Sequence, residues 1–338
     1  MSARKTLCVI ALLAMPGCGG AGAGQTSTAS DEPVQFEDER AAAAAPPASE
    51  QVTRGEALLA EGDAQGAEAA LRAAIAENAG DPRAHLDLGL ALEMQERWSD
   101  AEGAYRASIE ADPEFAEALN NLGALLRDQD RAEEAVIILR RAVEARPGFG
   151  SAYLNLGLAL EEQGDAEGAM AAYRRVIELA PREPTARIQL GMLQLAAGDQ
   201  EHALITLRRA AGPAAGSRAM LSALGNGLRR AGDPQMAVRV LRDAIAAEES
   251  EPPAAIVAEL ALAQFAADER AEAETTLREL IAAQPRYATA HFVLANMLAA
   301  RRAFADAGRE YQAYLRIDPQ GEHAEEARGR LAFVRRQR

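Results

Sequence analysis

The sequence predicts an all-α solenoid, about eight stacked helix-turn-helix units closed by a capping helix, and three observations predict it. The first is composition: 80 of 338 residues are Ala, while Phe, Trp and Tyr together make 4%. Ala has the highest helix propensity, and a chain poor in aromatic and β-branched residues is unsuited to a sandwich or barrel. The second is self-similarity at a fixed period. Ala67, Ala101, Ala135, Ala169, Ala203, Ala237, Ala273 and Ala307 follow one another at steps of 34, with a single step of 36. Twelve residues before each stands Gly55, Gly89, Gly123, Gly157, Gly191, Gly225, Ala261 or Ala295. Four residues after each stands Leu71, Tyr105, Leu139, Tyr173, Leu207, Leu241, Leu277 or Tyr311. The third is punctuation: Pro113, Pro147, Pro181, Pro285 and Pro319 close units in the same phase, where proline ends a helix because it cannot continue the hydrogen-bond ladder.

The chain opens with Arg4 and Lys5 before an apolar stretch from Leu7 to Met15, too short for a spanning helix. Residues 1–17 therefore read as an export signal. Cys18 follows in the order Met15-Pro16-Gly17-Cys18, which resembles the lipobox of bacterial lipoproteins and marks Cys18 as the lipidation site. An ordinary secretory signal cut near Ala21-Gly22-Ala23 is the other reading. Gly19 in place of Asp after the cysteine implies, by the same resemblance, sorting to the outer membrane of a Gram-negative cell, facing the periplasm. The alternative is a soluble periplasmic or secreted protein. Cleavage leaves Cys18 as the single cysteine, so no intramolecular disulfide forms. It removes the only lysine, Lys5, and moves the formal charge from −15 to −17. That acidity argues against nucleic acid as a partner.

Residues 18–47 change to Gly, Ala, Ser, Thr and Pro with an acidic patch from Asp31 to Glu39. They bury too little to offset ordering and read as a disordered tether, with an r.m.s. span of roughly 30 Å. The repeats occupy 48–321, as units 48–81, 82–115, 116–149, 150–183, 184–217, 218–253, 254–287 and 288–321. Two junctions depart from the pattern and are candidate hinges or tolerated loop variation: Gly212-Pro213-Ala214-Ala215-Gly216, and the two-residue insertion within Glu248-Glu249-Ser250-Glu251-Pro252-Pro253. In 322–338, Ala324, Ala327, Leu331 and Val334 recur at helical spacing, as a capping helix requires.

Each unit resembles a tetratricopeptide repeat, a pair of helices A and B, and the resemblance implies a right-handed superhelix. Glycine at the eighth position and alanine at the twentieth permit close helix approach, while Leu or Tyr at the twenty-fourth is expected to fill the gap to the next unit.

Chemistry is hard to place on this chain. His85, His202, His291 and His323 lack metal-binding spacing, and no nucleophile elbow, phosphate loop or Cys-His pair occurs. His85 and His291 share the fourth position of helix A, where packing is the expected role. Carboxylate pairs such as Glu161-Glu162 read as solvated faces. The expectation is a protein without catalytic residues, metal or cofactor.

What remains is a binding surface. The resemblance implies that positions two, five, six, nine, twelve and thirteen of helix A line a concave groove. Carried over, the inward set is Leu86, Asp87, Leu90, Glu93 and Met94; Asn120, Asn121, Arg127 and Asp128; Leu154, Asn155, Leu158, Glu161 and Glu162; Ile188, Gln189 and Met192; and Asn226, Arg229 and Arg230. Asn121 and Asn155 share a register, with Gln189 next, so side-chain amides could form a ladder that holds an extended backbone. That resembles the asparagine ladder in the repeat domain of O-linked N-acetylglucosamine transferase; amides as neutral filler are the equal alternative. The family's carboxylate clamp needs groove lysines, which the mature chain lacks. The expected function is a scaffold or assembly factor, a cell-envelope lipoprotein that grips an extended segment or helix of a protein partner, similar in design to pilotins and envelope adaptors. A glycan- or peptidoglycan-associated module and the repeat domain of an enzyme are the alternatives. The only tryptophan, Trp98, falls in the expected turn between two helices, which gives the glycan reading little to stack on.

Overall fold

The computed structural model describes residues 49–211, 217–247 and 251–337. The signal, Cys18 and the tether lie outside these residues, as do Gly212–Gly216 and Glu248–Ser250. The described residues form 17 α-helices and no strand. The described residues divide into two compact units, one up to residue 186 and one from residue 187 onward.

The N-terminal unit holds α1 (Glu50–Ala60), α2 (Ala64–Glu77), α3 (Pro82–Glu93), α4 (Trp98–Ala111), α5 (Ala116–Asp128), α6 (Ala132–Ala145), α7 (Gly150–Gln163) and α8 (Ala166–Leu179). The division falls within α9 (Thr185–Ala196). The C-terminal unit continues with α10 (Gln200–Ala210), α11 (Arg218–Ala231), α12 (Pro234–Ala246), α13 (Ala254–Ala266), α14 (Arg270–Ala283), α15 (Ala288–Ala300), α16 (Phe304–Ile317) and α17 (Ala324–Arg336). Each unit is an α-solenoid in which a helix packs on its pair-mate and on the next in sequence. A helices of neighbouring pairs also meet, α1 with α3, α5 with α7, α11 with α13 and α13 with α15, and so line the inner face of each stack.

The repeat positions have physical causes that the structure makes plain. Every alanine of the thirty-four-residue series, from Ala67 to Ala307, is 0% exposed, because the helices of a pair cross there. In the six units with glycine, the Leu or Tyr four residues later lies over the glycine of its own pair, and it also packs toward the next unit, as Leu71 does beside Ala91. A Cβ added to Gly89 would come within 2.3 Å of the Tyr105 ring, and one added to Gly123 within 2.4 Å of Leu139. Leu207 likewise reaches the following pair, toward Gly227, and Tyr105 reaches the pair after its own at Asn121.

The turn from A to B uses one backbone conformation throughout. Position fifteen has positive φ in all eight units: Gly62, Gly164, Gly198 and Gly232 at 81 to 96°, and Glu96, Asp130, Asp268 and Arg302 at 59 to 66°. Only glycine adopts this region without penalty. In six of the eight units the next residue starts helix B in one of two ways, while Glu269 and Ala303 form no side-chain cap. Asp63, Asp165, Asp199 and Asp233 cap it by accepting a backbone N–H three residues on. Arg97 and Arg131 make no cap and instead reach the preceding pair, at 2.9 Å from Glu68 and 2.8 Å from Glu102. Trp98, expected in that turn, is the first residue of α4.

The C-terminal core gathers Phe292, Tyr311 and Tyr314, against which α17 buries Ala324, Ala327, Leu331 and Val334. His323, just before α17, stacks on Phe292 with ring centroids 4.4 Å apart. His85 is half-buried and His291 buried, as a packing role requires, and both are also anchored by polar contacts. Nε2 of His85 lies 2.9 Å from the Ala79 carbonyl, and Nε2 of His291 lies 3.1 Å from that of Pro285, its Nδ1 facing Glu310 at 2.7 Å.

Candidate functional site

Position twelve of helix A sets the character of the inner face, through the residue that position twenty-four of helix B brings beneath it. In the N-terminal unit the pairs are Leu59 with Leu71, which is apolar throughout, then Glu93 over Tyr105, Arg127 over Leu139 and Glu161 over Tyr173. With leucine below, the arginine has no polar group in its own pair and turns to the next: Arg127 donates to Asn155 at 3.2 Å and to Asp128 at 2.8 Å, and stands 3.9 Å from Glu162. Its side chain is 2% exposed. The C-terminal unit repeats this, Arg229 over Leu241 reaching Glu259 of the next pair at 3.2 Å. With tyrosine below, the acid meets a phenol. Tyr173 donates to Glu161 at 2.9 Å, while the Tyr105 hydroxyl, buried between Glu93 and Asn121, comes within reach of both but forms a hydrogen bond of good geometry with neither.

The amides close on one another. Asn155 donates to Asn120 at 2.9 Å, Asn120 donates to Asn121 at 3.1 Å, and the Asn155 carbonyl accepts from Arg127. A ladder free to hold a foreign backbone is therefore not what this face offers; the Asn155 carbonyl is occupied and Asn120 is buried. Gln189, with Ile188, is buried in the C-terminal unit.

The remaining inward residues sort by exposure. Leu86 and Leu158 belong to the core, Leu90, Leu154, Met192 and Asn226 are partly buried, and Met94 and Arg230 are exposed. Asp87 is 9% exposed, and its Oδ2 has no hydrogen-bond partner. Burial pushes its carboxyl up to about 7, helped by Glu56 and Asp81 and opposed by Arg83. Burial also raises Glu93 to about 7, with Asp128 adding and Tyr105 opposing. Glu162 is raised to about 7 by burial, against the pull of Arg127, and Glu161 is raised by burial against the Tyr173 hydrogen bond. Of the pair expected from sequence to be solvated, Glu162 is exposed, as expected, and Glu161 is partly buried.

Acids elsewhere behave oppositely. Hydrogen bonds from Arg131 and Arg106 hold Glu102 below the usual carboxylate range, and bonds from Gln95 and Arg97 do the same for Glu68. In the C-terminal unit an open cleft of about 420 Å³ is lined by Phe265, Met297 and several arginines, but Arg278 and Arg301 pair with Glu274 and Arg270 with Asp268. Among the described residues no cluster of metal-ligating side chains occurs, and no helix is long and apolar enough to cross a membrane.

Tyr105 and the position-twelve to position-twenty-four pairing were missed by sequence reasoning. The signal was present, since both glutamates at position twelve in the first units coincide with tyrosine twelve residues later.

Models of the tetratricopeptide repeat match residues 52–113, 94–149, 139–184, 154–218 and 258–322, and a second such model matches 220–253. No curated protein matches. Among solved structures, PilF of Pseudomonas aeruginosa is 22% identical with a TM-score of 0.52, over 58% of this chain and 89% of its own. PilW, described as a widely conserved type IV pilus biogenesis factor, is 22% identical with a TM-score of 0.52, over 60% of this chain and 94% of its own. The Cut9-Hcn1 hetero-tetramer structure of the APC/C gives 17% identity and a TM-score of 0.53, over 82% of this chain and 55% of its own. At these identities the likeness is one of fold.

Proposed function

Because the chain belongs to the tetratricopeptide repeat family, we propose that it is a non-catalytic scaffold that binds a protein partner along the inner face of its N-terminal unit. The observation that carries this is the inner face itself. Ionisable and amide side chains of α3, α5 and α7 are gathered there half-buried, where a monomer gains nothing from keeping charge out of water. The family is generally non-catalytic, and the longest insertion between units, two residues, leaves no room for a separate catalytic element.

The finer reading is a lipoprotein of the Gram-negative envelope, anchored at Cys18 and acting as a pilotin-like or adaptor-like assembly factor. Its support is the Met15-Pro16-Gly17-Cys18 sequence and the tether behind it, together with the fold shared with PilF and PilW. Replacing Cys18 with Ser moves such a protein from the membrane fraction to the soluble periplasm; unchanged membrane partition refutes the anchor.

The scaffold reading is tested in intact cells with a photo-crosslinking residue placed at Met94, exposed on the inner face, or at Ile137, exposed on α6. Capture of the same partner from Met94 but not from Ile137 is the expected result. Equal capture from both, or from Ile137 alone, refutes it. A glycan-binding alternative has the single exposed Trp98 in its favour, with no second aromatic ring packed near it among the described residues.

A further inference from the structure

The inner face of the N-terminal unit holds more acid than it neutralises. Among the described residues Arg127 is its one buried cation, and it is committed to Asp128 and Asn155 with Glu162 at the edge of its reach. Glu93 has no ion pair among the described residues, and Glu161 has only the Tyr173 hydroxyl. The arginines of α4 and of the α5–α6 turn are engaged on other carboxylates, Arg106 on Glu102 and Arg131 on Glu102 and Glu134.

A second observation, independent of the carboxylates, marks where the deficit is greatest. Tyr105 is 0% exposed, and its hydroxyl has no hydrogen-bond partner. Glu93 and Asn121 lie within hydrogen-bonding reach of it without a well-aligned bond to either, and Asp87 adds to the negative field. One pair further on, Tyr173 in the same register is satisfied by Glu161. Asp87 Oδ2 is likewise buried without a partner. Buried polar atoms are seldom left so. Oxygen acceptors without donors and carboxylates without a cation ask for one thing, a positive group that carries several N–H donors. A guanidinium has five in a fixed fork, an ammonium three on a point charge.

We infer that this face binds an arginine side chain of an extended partner segment at Glu93 and Tyr105, with Asp87, Glu161 and Glu162 supplying the surrounding negative field. The inference rests on the scaffold reading above and names the chemistry of its partner. The guanidinium donates to Glu93 and, with a small rotation of that side chain, to the Tyr105 oxygen. Its charge meets the run Asp128, Glu161 and Glu162 that Arg127 balances only in part. Binding is linked to protonation: Glu93 faces Tyr105 and Asp128, Glu162 faces Arg127, Asp128, Asp130 and Glu161, and both ionise near pH 7. Arginine therefore competes with protons, and affinity falls on acidification by about tenfold between pH 8 and pH 6 for each acid that must ionise.

The test uses the full chain and fluorescein-labelled nonapeptides of Gly and Ser carrying three arginines, three lysines or three glutamates, followed by fluorescence anisotropy at physiological salt. The arginine peptide is expected to bind most tightly and to weaken from pH 8 to pH 6. The pair Glu93→Gln and Glu162→Gln should cost it at least about tenfold. The pair Glu133→Gln and Glu144→Gln, on the exposed side of α6, should change it less than about twofold, since exposed charges are screened. Tyr105→Phe should weaken the arginine peptide more than the lysine peptide. Equal losses from inner and outer pairs, or tighter binding at pH 6, overturn the inference. Binding that appears only once Arg335 and Arg336 are replaced by Ser would make the chain's own tail the occupant and overturn it also. Inner-face crosslinks that persist unchanged in the Glu93→Gln, Glu162→Gln protein refute the arginine site and leave the scaffold standing. Peptide binding without inner-face crosslinks refutes the scaffold instead.

Discussion

Asp87→Asn should stabilise the N-terminal unit at alkaline pH and do nothing useful at acid pH. Asp87 is 9% exposed on α3, with Glu56 and Asp81 adding to the field and Arg83 the opposing charge. Its carboxyl titrates at about 7 in the fold and near 3.8 in the unfolded chain. A carboxyl raised on folding holds its proton more tightly in the native state, so its contribution is most favourable at low pH and is lost as pH rises from about 4 through 7. At 1.36 kcal/mol per pH unit of displacement, ionised Asp87 costs the fold about 4 kcal/mol at pH 8. An asparagine removes that cost but brings an amide whose donors need partners, about 1–3 kcal/mol if unmet. The net gain at pH 8 is therefore about 1–3 kcal/mol, and it vanishes or reverses by about pH 5. Hydrogen exchange resolved to α1–α4 at pH-corrected rates measures this locally, which suits a repeat array that need not unfold as one unit. Wild-type protection in α3 should fall between pH 5 and pH 8, while the variant stays level. A variant no better protected than wild type at pH 8 would show that Asp87 has a partner in solution and that the unmet charge is not there.

Other perturbations test the same geometry. Tyr105→Phe removes an unpartnered hydroxyl and should be neutral or stabilising by about 1 kcal/mol, while Tyr173→Phe removes a 2.9 Å hydrogen bond and should cost about 1–2 kcal/mol; urea midpoints of the two variants should move in opposite directions. Arg127→Met removes the cation from a buried network and should cost about 3 kcal/mol at pH 8, less at pH 6, with Glu162 titrating higher by NMR. Glu96→Gly relieves a left-handed residue and should raise the melting temperature by an amount equivalent to about 1 kcal/mol, while Gly164→Ala should lower it by as much. Ala135→Leu, at a helix crossing with 0% exposure, should cost about 1–3 kcal/mol by chemical denaturation.

Much of the fold was legible because steric rules act on single positions. Ala67 to Ala307 must be small where helices cross, and Gly55 to Gly225 must lack a Cβ where Leu or Tyr lies over them, so the thirty-four-residue period is written in residue types. The left-handed turn was half legible: glycine marks it in four units, but Glu96, Asp130, Asp268 and Arg302 hide it, since the flanking helices hold the backbone there at a cost of only about 1 kcal/mol. The inner face was least legible. Its positions come from a shared geometry, but whether Asn155 is a free amide or a closed one depends on Arg127 one unit earlier, and whether Glu161 is solvated depends on burial that no spacing encodes.

Position twelve shows how one register can hold two designs. Where leucine lies below, the space in the pair is apolar and an arginine cannot stay; Arg127 and Arg229 both extend to position six of the next pair, Asn155 and Glu259, and so tie consecutive units together. Where tyrosine lies below, its hydroxyl reaches past the glycine to the same height, and a glutamate can remain within the pair, as Glu161 does on Tyr173. The first design spends its charge on cohesion and the second keeps it at the surface of the inner face. After the apolar first pair, Leu59 with Leu71, the two alternate in the N-terminal unit, Glu93, Arg127, Glu161, so the unit places uncompensated acid on either side of a buried cation. Such spacing stabilises the stack less than three arginines would, since every buried carboxylate without a partner costs free energy. A face that a monomer would do better to tie together is instead held open, and the free energy to offset it is available from a partner that brings the missing positive charge.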